Sequence, residues 1–392
     1  MLKIPNVILL IDRQSDYGRG LLRGITRYVT IHGPWMPYTG PVFYRESKLS
    51  LTQWMQDLRA DGIIARAADP KLVDAIGSLG IPAIISGAWE RIPNMHVIIS
   101  DHVAIGHMAA EYFLDRGFRH FAFCGFQDTY WSQERYEAFS RRVAQAGCKV
   151  DLYQHPESTH LHIGQDECPD LSAWLASLPK PIGLMTCNDD RSQHIAMACK
   201  MSDIKIPDEV AVLGVDNDEL VCNLPYPQLS SVALDTENAG YEAAALLDQL
   251  MTSQQSDQQA REIVIHPLYV VARQSTNILA VEDPEVAAAL RFIRDHHAAT
   301  LQISDIAEAA GLSCRTLQHR FRKLLGCSVR DQIRRTRIDQ CTHLLVDTDL
   351  SIAEISQTLG YPYVRSMSRW FKQETSMSPL AFRRKRKTGQ DR

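Results

Sequence analysis

No apolar run in this 392-residue chain approaches the roughly eighteen residues that a bilayer-spanning helix requires. The start, Met1-Leu2-Lys3-Ile4-Pro5, lacks the layout of a signal peptide and leads straight into a strand. A cytoplasmic location is therefore expected, with no membrane among the partners. The nine cysteines are odd in number and form neither a CxxC pair nor a cluster with histidine. They read as reduced thiols filling small core spaces, and neither a metal nor any other cofactor is expected. Enzyme signatures are missing too. There is no GxSxG, no Walker A loop, no GxGxxG after a strand and no HExxH, which removes several common hydrolase and nucleotide-binding chemistries. Asp189-Asp190 is the candidate acid pair, but adjacent residues usually point in different directions. No catalytic residue is assigned.

What is present divides in two. The length calls for two or three folding units, and charge is unevenly shared between them. Residues 285–392 carry 19 Lys and Arg against 11 Asp and Glu, whereas residues 1–284 carry 23 against 35. A basic segment suits a polyanion, and an acidic body stays off it.

Within the basic segment one helical signature occurs twice, 49 residues apart. Ile303, Ile306 and Ala307 precede Gly311-Leu312, then Leu317 and Phe321; Ile352, Ile355 and Ser356 precede Gly360-Tyr361, then Met367 and Phe371. In each, apolar residues at helical spacing stop at a glycine and a second amphipathic helix follows. That is the pattern of a helix-turn-helix, here at 303–325 and 352–374. Ser304 and Ser313 are suitable N-caps in the first copy, and Ser351 with Glu354 has the form of a capping box in the second. Residues 329–346 place Ile333, Ile338, Cys341, Leu344 and Leu345 on one face, a connecting helix roughly 27 Å long. Such a rod holds two reading helices near one turn of duplex, about 34 Å, apart.

With the ending Gly360-Tyr361, Phe371-Lys372, Ser378-Pro379 and Phe382-Arg383, the segment 285–392 resembles the DNA-binding domain of the AraC family. The resemblance implies double-stranded DNA as the partner. It sets Arg315, Gln318 and His319 of the first reading helix, and Val364, Arg365, Ser368 and Arg369 of the second, against the major groove. The chemistry agrees, since Arg suits guanine, Gln suits adenine and Ser bonds either a base or a phosphate. The alternatives are a plain helical bundle for the segment, and phosphate contact or simple solvation for individual side chains.

Residues 1–276 alternate short β-branched strands with helices, the mark of an α/β fold with doubly wound parallel sheets. Strands are expected at 7–11, 62–65, 83–85, 97–100, 120–124, 182–186 and 210–215, and helices at 18–29, 70–79 and 103–114. Ligands of such sheets bind beyond the carboxyl ends of the strands. There stand Asp12-Arg13, Asp101, Asn188-Asp189-Asp190 and Asp216-Asn217. Their donors and acceptors suit a polyhydroxylated ligand, a sugar. Helix capping and turn formation are the plainer employment of the same residues.

Asp101 ahead of a helix ending Arg116-Gly117-Phe118-Arg119-His120, then Glu134-Arg135, Asn188-Asp189, Gly214-Val215-Asp216-Asn217 and Leu229-Ser230-Ser231-Val232 resemble the sensor core of LacI-type repressors. That resemblance implies the two-lobed, periplasmic-binding-protein-like fold. One lobe would be 1–101 plus 236–276 and the other 102–235, with strand 262–272 returning to the first lobe, a sugar between them and a linker at 277–284. A LacI-type sensor ahead of an AraC-type reader resembles the xylose operon regulators. Glu134 to Phe139, Arg191 to Cys199 and Gly240-Tyr241-Glu242-Ala243-Ala244 fit that family.

The implied function is a sugar-responsive transcription regulator, an activator of xylose-use genes with D-xylose as effector. A homodimer is expected, with RNA polymerase a candidate partner. Arg135 would clamp sugar oxygens, with Asp189, Asp216 and Asn217 as partners and Asn188 and Asp101 at neighbouring strand ends. Asp12, Arg13 and Asp16 would close from the first lobe, while Tyr17 and Trp131 are candidate platforms for a sugar face. His102, His107 and His194 are read as surface or packed side chains, not ligands. The alternatives are another pentose, or another class altogether, a sugar-modifying enzyme or a plain binding protein.

Overall fold

The computed structural model describes residues 4–39, 55, 57–66, 70–87, 92, 95–155, 168–252, 259–278, 283–296, 301–348, 350–375 and 377–388. In chain order the strands are β1 (Asn6–Leu10), β2 (Met36–Thr39), β3 (Gly62–Arg66), β4 (Ala83–Ser86), β5 (His96–Ser100), β6 (His120–Phe126), β7 (Val150–His155), β8 (Ile182–Thr186), β9 (Val210–Asp216), β10 (Ser230–Leu234), β11 (Glu262–Ile265) and β12 (Pro267–Val271). Among the described residues they form two six-stranded sheets, ordered β11-β5-β4-β3-β1-β2 and β12-β10-β9-β8-β6-β7. The pairings are parallel except that of β10 with β12. Helices cover both faces, so the strands need no polar alternation. Val7, Ile8, Ile63 and Ile64 in the first sheet, and Phe121, Phe123, Leu184 and Val212 in the second, are fully buried.

Around the sheets lie α1 (Asp16–His32), α2 (Pro70–Gly77), α3 (His102–Leu114), α4 (Tyr130–Gln145), α5 (Cys168–Ser177), α6 (Asp189–Met201), α7 (Glu219–Asn223) and α8 (Thr236–Thr252). Helices α1 and α8 pack at a separation that only glycine permits. A Cβ on Gly24 would lie 1.9 Å from the Glu237 carbonyl oxygen, and one on Gly240 would lie 2.1 Å from that of Leu21. This contact returns α8 to the first sheet after the chain has built most of the second.

The chain passes between the sheets at Asp101, at Asp235 and at His266. The crossings run side by side, for Asp101 N–H donates to Ile265 O at 2.9 Å and Asp235 N–H to His266 O at 3.0 Å. The third crossing corrects the expected lobe boundary. Residues 262–265 do join the first sheet, but β12 runs antiparallel to β10 in the second, and the turn Gln274–Thr276 is tied there by Ser275 Oγ–H to Val212 O at 2.6 Å. The stretch 262–272 is read in the sequence as one strand, yet Pro267, which has no N–H for a sheet ladder, stands in its middle and marks the break at His266.

The remaining helices are α9 (Pro284–Asp295), α10 (Ile303–Ala309), α11 (Cys314–Leu325), α12 (Val329–Asp347), α13 (Ile352–Thr358), α14 (Val364–Thr375) and α15 (Pro379–Thr388). They build two small cores. Helices α9, α10 and α11 bury Val286, Ile293, Ile306, Leu317 and Phe321; α13, α14 and α15 bury Ile355, Leu359, Met367, Phe371 and Phe382. Helix α12 gives Val329 and Ile333 to the first core and Cys341 and Leu345 to the second. Gly311 and Gly360, at φ +65° and +72°, take the left-handed turn between the helices of each pair. Ser313 caps α11, and Ser351 with Glu354 forms the capping box of α13. Ser304 does not cap. It lies inside α10, whose N-cap is Gln302, held by Asp305 at 3.2 Å. Of the expected linker 277–284, residues 279–282 lie outside the described residues.

Candidate functional site

At the carboxyl ends of the strands a cavity of about 430 Å³ lies between the two sheets. Asp12, Ser15, Tyr17, Arg66 and Ser100 line it from the first lobe; Trp131, Arg135, Asn188, Asp190 and Asp216 line it from the second. Its floor is Arg135, which is 4% exposed although charged. Buried charge persists only where it is paired and hydrogen-bonded, and each side of this guanidinium is engaged. Arg135 donates to the Cys187 carbonyl and, through Nε, to His102 Nδ1 at 3.4 Å; it lies 3.7 Å from Asp216 Oδ1, and its guanidinium sits 5.2 Å from the centre of the Trp131 ring. Burial, then Arg135, pushes His102 down to about 3, so the imidazole is neutral. Because Nδ1 accepts, Nε2 carries the proton, and His102 is a fixed donor on the cavity wall.

Opposite, the Tyr17 hydroxyl bonds Ser86 Oγ at 3.0 Å while Arg66 stacks 5.0 Å from the ring centre. Arg66 also donates to Ser15 Oγ at 3.2 Å and lies 3.7 Å from Asp12. Burial raises the Asp12 carboxyl, but hydrogen bonds from Gln14 and Ser15 and the charge of Arg66 outweigh it and leave the group below its ordinary value.

Asp216 closes β9 at φ +104°, followed by Asn217 at +56°. Left-handed backbone at two successive non-glycine residues is strained, and such strain collects at ligand-binding loops. Burial pushes the Asp216 carboxyl up to about 6; Arg135 and Arg66 pull it down, and Asp190 and Asp16 add to the rise. Its protonation therefore changes just below neutrality. Above that point it is an ionised acceptor, so affinity for a hydroxylated ligand weakens as pH falls from about 7 to about 5, and Asp216→Asn flattens that dependence. The stability linkage has the opposite sign. With its folded value above the ordinary 3.8, the folded state binds the extra proton, and the contribution of Asp216 to stability grows as pH falls through 6. Calorimetric titration at both pH values, beside thermal unfolding, separates the two effects.

Of the residues singled out in the sequence, Asp12, Tyr17, Trp131, Arg135, Asn188 and Asp216 line this cavity. Arg13, Asp16, Asp101, Asp189 and Asn217 do not. Arg13 is exposed to solvent. Asp16 pairs with Arg19 and Arg23 on its own helix. Asp101 caps α3 through Ala104 N–H and pairs with His266 at a crossing. Asp189 is buried, accepting from Ser231 Oγ–H at 2.6 Å and Asp218 N–H at 2.7 Å. Asn217 is turned away by its left-handed backbone and accepts from Arg273 at 2.9 Å. Apart from Arg13, these are capping and bracing roles, the plainer employment of such residues at strand ends. Asp190, named with Asn188 and Asp189 at its strand end, also lines the cavity, while Ser15, Arg66 and Ser100 are additions from the structure, and His102 and His194, read as surface or packed side chains, line the wall. Arg66 and Ser100 end β3 and β5, so the rule of polar strand ends, applied to every strand, reaches both.

The reading helices present a second candidate surface. Leu317 and Phe321 of α11, and Met367 and Phe371 of α14, face the cores. Arg315, Gln318, His319, Val364, Arg365 and Arg369 are exposed, and Ser368 is half-buried. Among the described residues no carboxylate pairs with Arg315, Arg365 or Arg369, whereas Arg320 is held by Asp283 at 2.9 Å and Arg337 by the Leu359 carbonyl at 3.1 Å.

A two-lobed sensor with a polar cleft, joined to paired helix-turn-helix units with basic outer faces, defines a ligand-responsive, DNA-binding transcription regulator. Family models agree, a periplasmic binding protein-like domain over residues 110–276 and a helix-turn-helix domain over 306–385. The chain is 31% identical over 384 residues to the xylose operon regulatory protein of Haemophilus influenzae, covering 96% of this chain and 97% of that one. Identity to the Escherichia coli K12 protein of the same name is 29% over 389 residues, 97% of each. The solved structure of the xylose-binding transcription activator xylR matches 97% of this chain and 98% of its own at 28% identity and a TM-score of 0.70. This chain belongs to the family of xylose operon regulatory proteins. The cellobiose complex of the regulator CelR, 18% identical with a TM-score of 0.56 over 69% of this chain and 84% of its own, shares the sensor fold alone.

Proposed function

We propose that the chain is a D-xylose-dependent activator of transcription and that the sugar occupies the cleft between the lobes. The observation that carries this reading is the buried Arg135, set between Asp216 and the Trp131 ring. It offers a charged donor, an acceptor and an aromatic face within one sugar's reach. Asp12, Arg66 and Tyr17 complete the contacts from the first lobe, and neutral His102 donates from the second. The sensor spans 1–276 with 267–276 assigned to the second lobe, and the reader spans 285–392. The sugar is read as a bound effector and not a substrate; Asp189, one half of the candidate acid pair Asp189-Asp190, is engaged by Ser231 and Asp218 through both carboxylate oxygens.

Closure of the lobes is the switch. Arg19 and the Asp16 N–H of α1 already reach across the cleft to Asp218, at 2.7 and 3.0 Å. A sugar that prefers the closed form a hundredfold shifts the equilibrium by about 2.7 kcal/mol. The output is the presentation of the reading helices by two copies of the chain, with RNA polymerase as the partner of the activated state. D-Xylose is expected to raise the melting temperature and D-glucose, with its extra hydroxymethyl group, to raise it far less, because a site shaped around particular hydroxyls rejects ligands that leave them unpaired. A thermal-shift panel of pentoses and hexoses tests this. Equal shifts for all sugars, or none for any pentose, overturn the assignment.

A further inference from the structure

A second cavity, of about 490 Å³, lies between the second lobe and the reader, and its size is that of a small-molecule site. Guanidinium side chains reach its wall from both sides: Arg116 and Arg273 from the sensor, Arg294 and Arg335 from the reader. Asp115 is the single acidic residue of that wall. Arg294 has its own acid, Asp208 at 3.2 Å. Among the described residues no carboxylate lies within ion-pair distance of the other three. Arg116 donates to the Tyr112 carbonyl at 3.2 Å and stacks on that ring. Arg335 is exposed on α12.

Arg273 is the telling one. It is 4% exposed, and its partners, the Leu229 carbonyl at 3.0 Å and Asn217 Oδ1 at 2.9 Å, are both neutral. A buried cation lacking a counter-ion is unfavourable unless an anion is supplied. Guanidinium forks match phosphate oxygens two at a time. Along the facing side of α12, Gln332, Thr336 and Gln340 offer amide and hydroxyl groups of the kind that bond sugar hydroxyls.

We propose that this cavity binds a phosphorylated sugar, its phosphate among Arg116, Arg273 and Arg335 and its hydroxyls along α12. Such a ligand ties the reader to the sensor, since its contacts come from both. It also reports to the first cavity, because Arg273 holds Asn217, the neighbour of Asp216. Binding at the two sites is therefore reciprocally coupled. The site itself stands on the second cavity alone and does not depend on which sugar enters the first.

Calorimetric titration of the full chain with ribose 5-phosphate and with inorganic phosphate tests the site. One ribose 5-phosphate per chain is expected, bound more tightly than phosphate. Affinity falls at least about tenfold in Arg116→Gln and in Arg335→Gln, whose melting temperatures match the wild type because neither side chain is in a core. Arg135→Ala, which alters the other cavity, still binds it. Absence of binding to the wild type, or binding that survives both glutamine variants, overturns the site. Phosphate bound as tightly as ribose 5-phosphate overturns the sugar part of the assignment. Loss in Arg135→Ala with retention in the glutamine variants moves the ligand into the first cleft and overturns the proposal while leaving the function intact.

Discussion

Arg135→Ala is expected to weaken D-xylose binding by about 2 to 4 kcal/mol, a factor of roughly thirty to a thousand. The size follows from what the guanidinium does before any sugar arrives. It gives the Cys187 carbonyl a donor, fixes the tautomer of His102 and lies 3.7 Å from Asp216. Alanine removes the sugar's charged donor and these three supports together. Asp216 then loses the first of the charges that pull its carboxyl down, so it rises further above 6 and is a poorer acceptor at neutral pH. Arg135→Lys keeps the charge but not the planar fork, and recovers little of the affinity. DNA affinity without sugar stays near wild type, since no reader residue touches this cavity. Calorimetry, DNA binding and thermal unfolding on the same preparations separate these effects. A titration curve unchanged from the wild type would return Arg135 to a purely structural tie.

The helix-turn-helix pair was legible because two independent signals agreed in each copy. A glycine stands where the backbone must be left-handed, at Gly311 and Gly360, and serine caps follow or precede it at Ser313 and Ser351. The cleft was legible to a lesser depth. A polar residue after a buried strand says that the strand ends there; it does not say which way the next side chain points. Asp189 and Asp190 are neighbours, yet one is buried against Ser231 and the other is exposed and lines the cavity. Asp216 and Asn217 part in the same way, one toward Arg135 and the other toward Arg273. Gly214 shows why. A Cβ there would lie 2.2 Å from Asp189 Oδ1, so β9 makes room for that carboxylate, and a sequence does not print such room. His102 escaped for a related reason. A histidine at the start of a helix looks like surface until the crossing after β5 brings it against Arg135.

The reading face carries the other large expected effect. Gln318→Ala and Arg369→Ala lie in different copies of the motif, on helices that pack into different cores, so their effects on DNA binding add within a few tenths of a kcal/mol. If each side chain meets a base edge, each substitution costs roughly 1 to 3 kcal/mol on the specific operator, and the double variant roughly 2 to 6. Each relaxes sequence preference at its own position, and the positions lie about one helical turn, roughly 34 Å, apart. Both side chains lie outside the two cores of the reader. Each is exposed beside a buried core residue, Leu317 before Gln318 and Phe371 two after Arg369. Arg369 has no carboxylate partner among the described residues, unlike Arg320, which Asp283 and Glu285 hold at 2.9 and 3.2 Å. Binding-site selection with each variant, repeated on random DNA at two salt concentrations, gives the answer. Equal loss on specific and random DNA with a shallower salt dependence assigns the side chain to a phosphate. Relaxation at one position only means that a single copy reads while the other braces the first across α12.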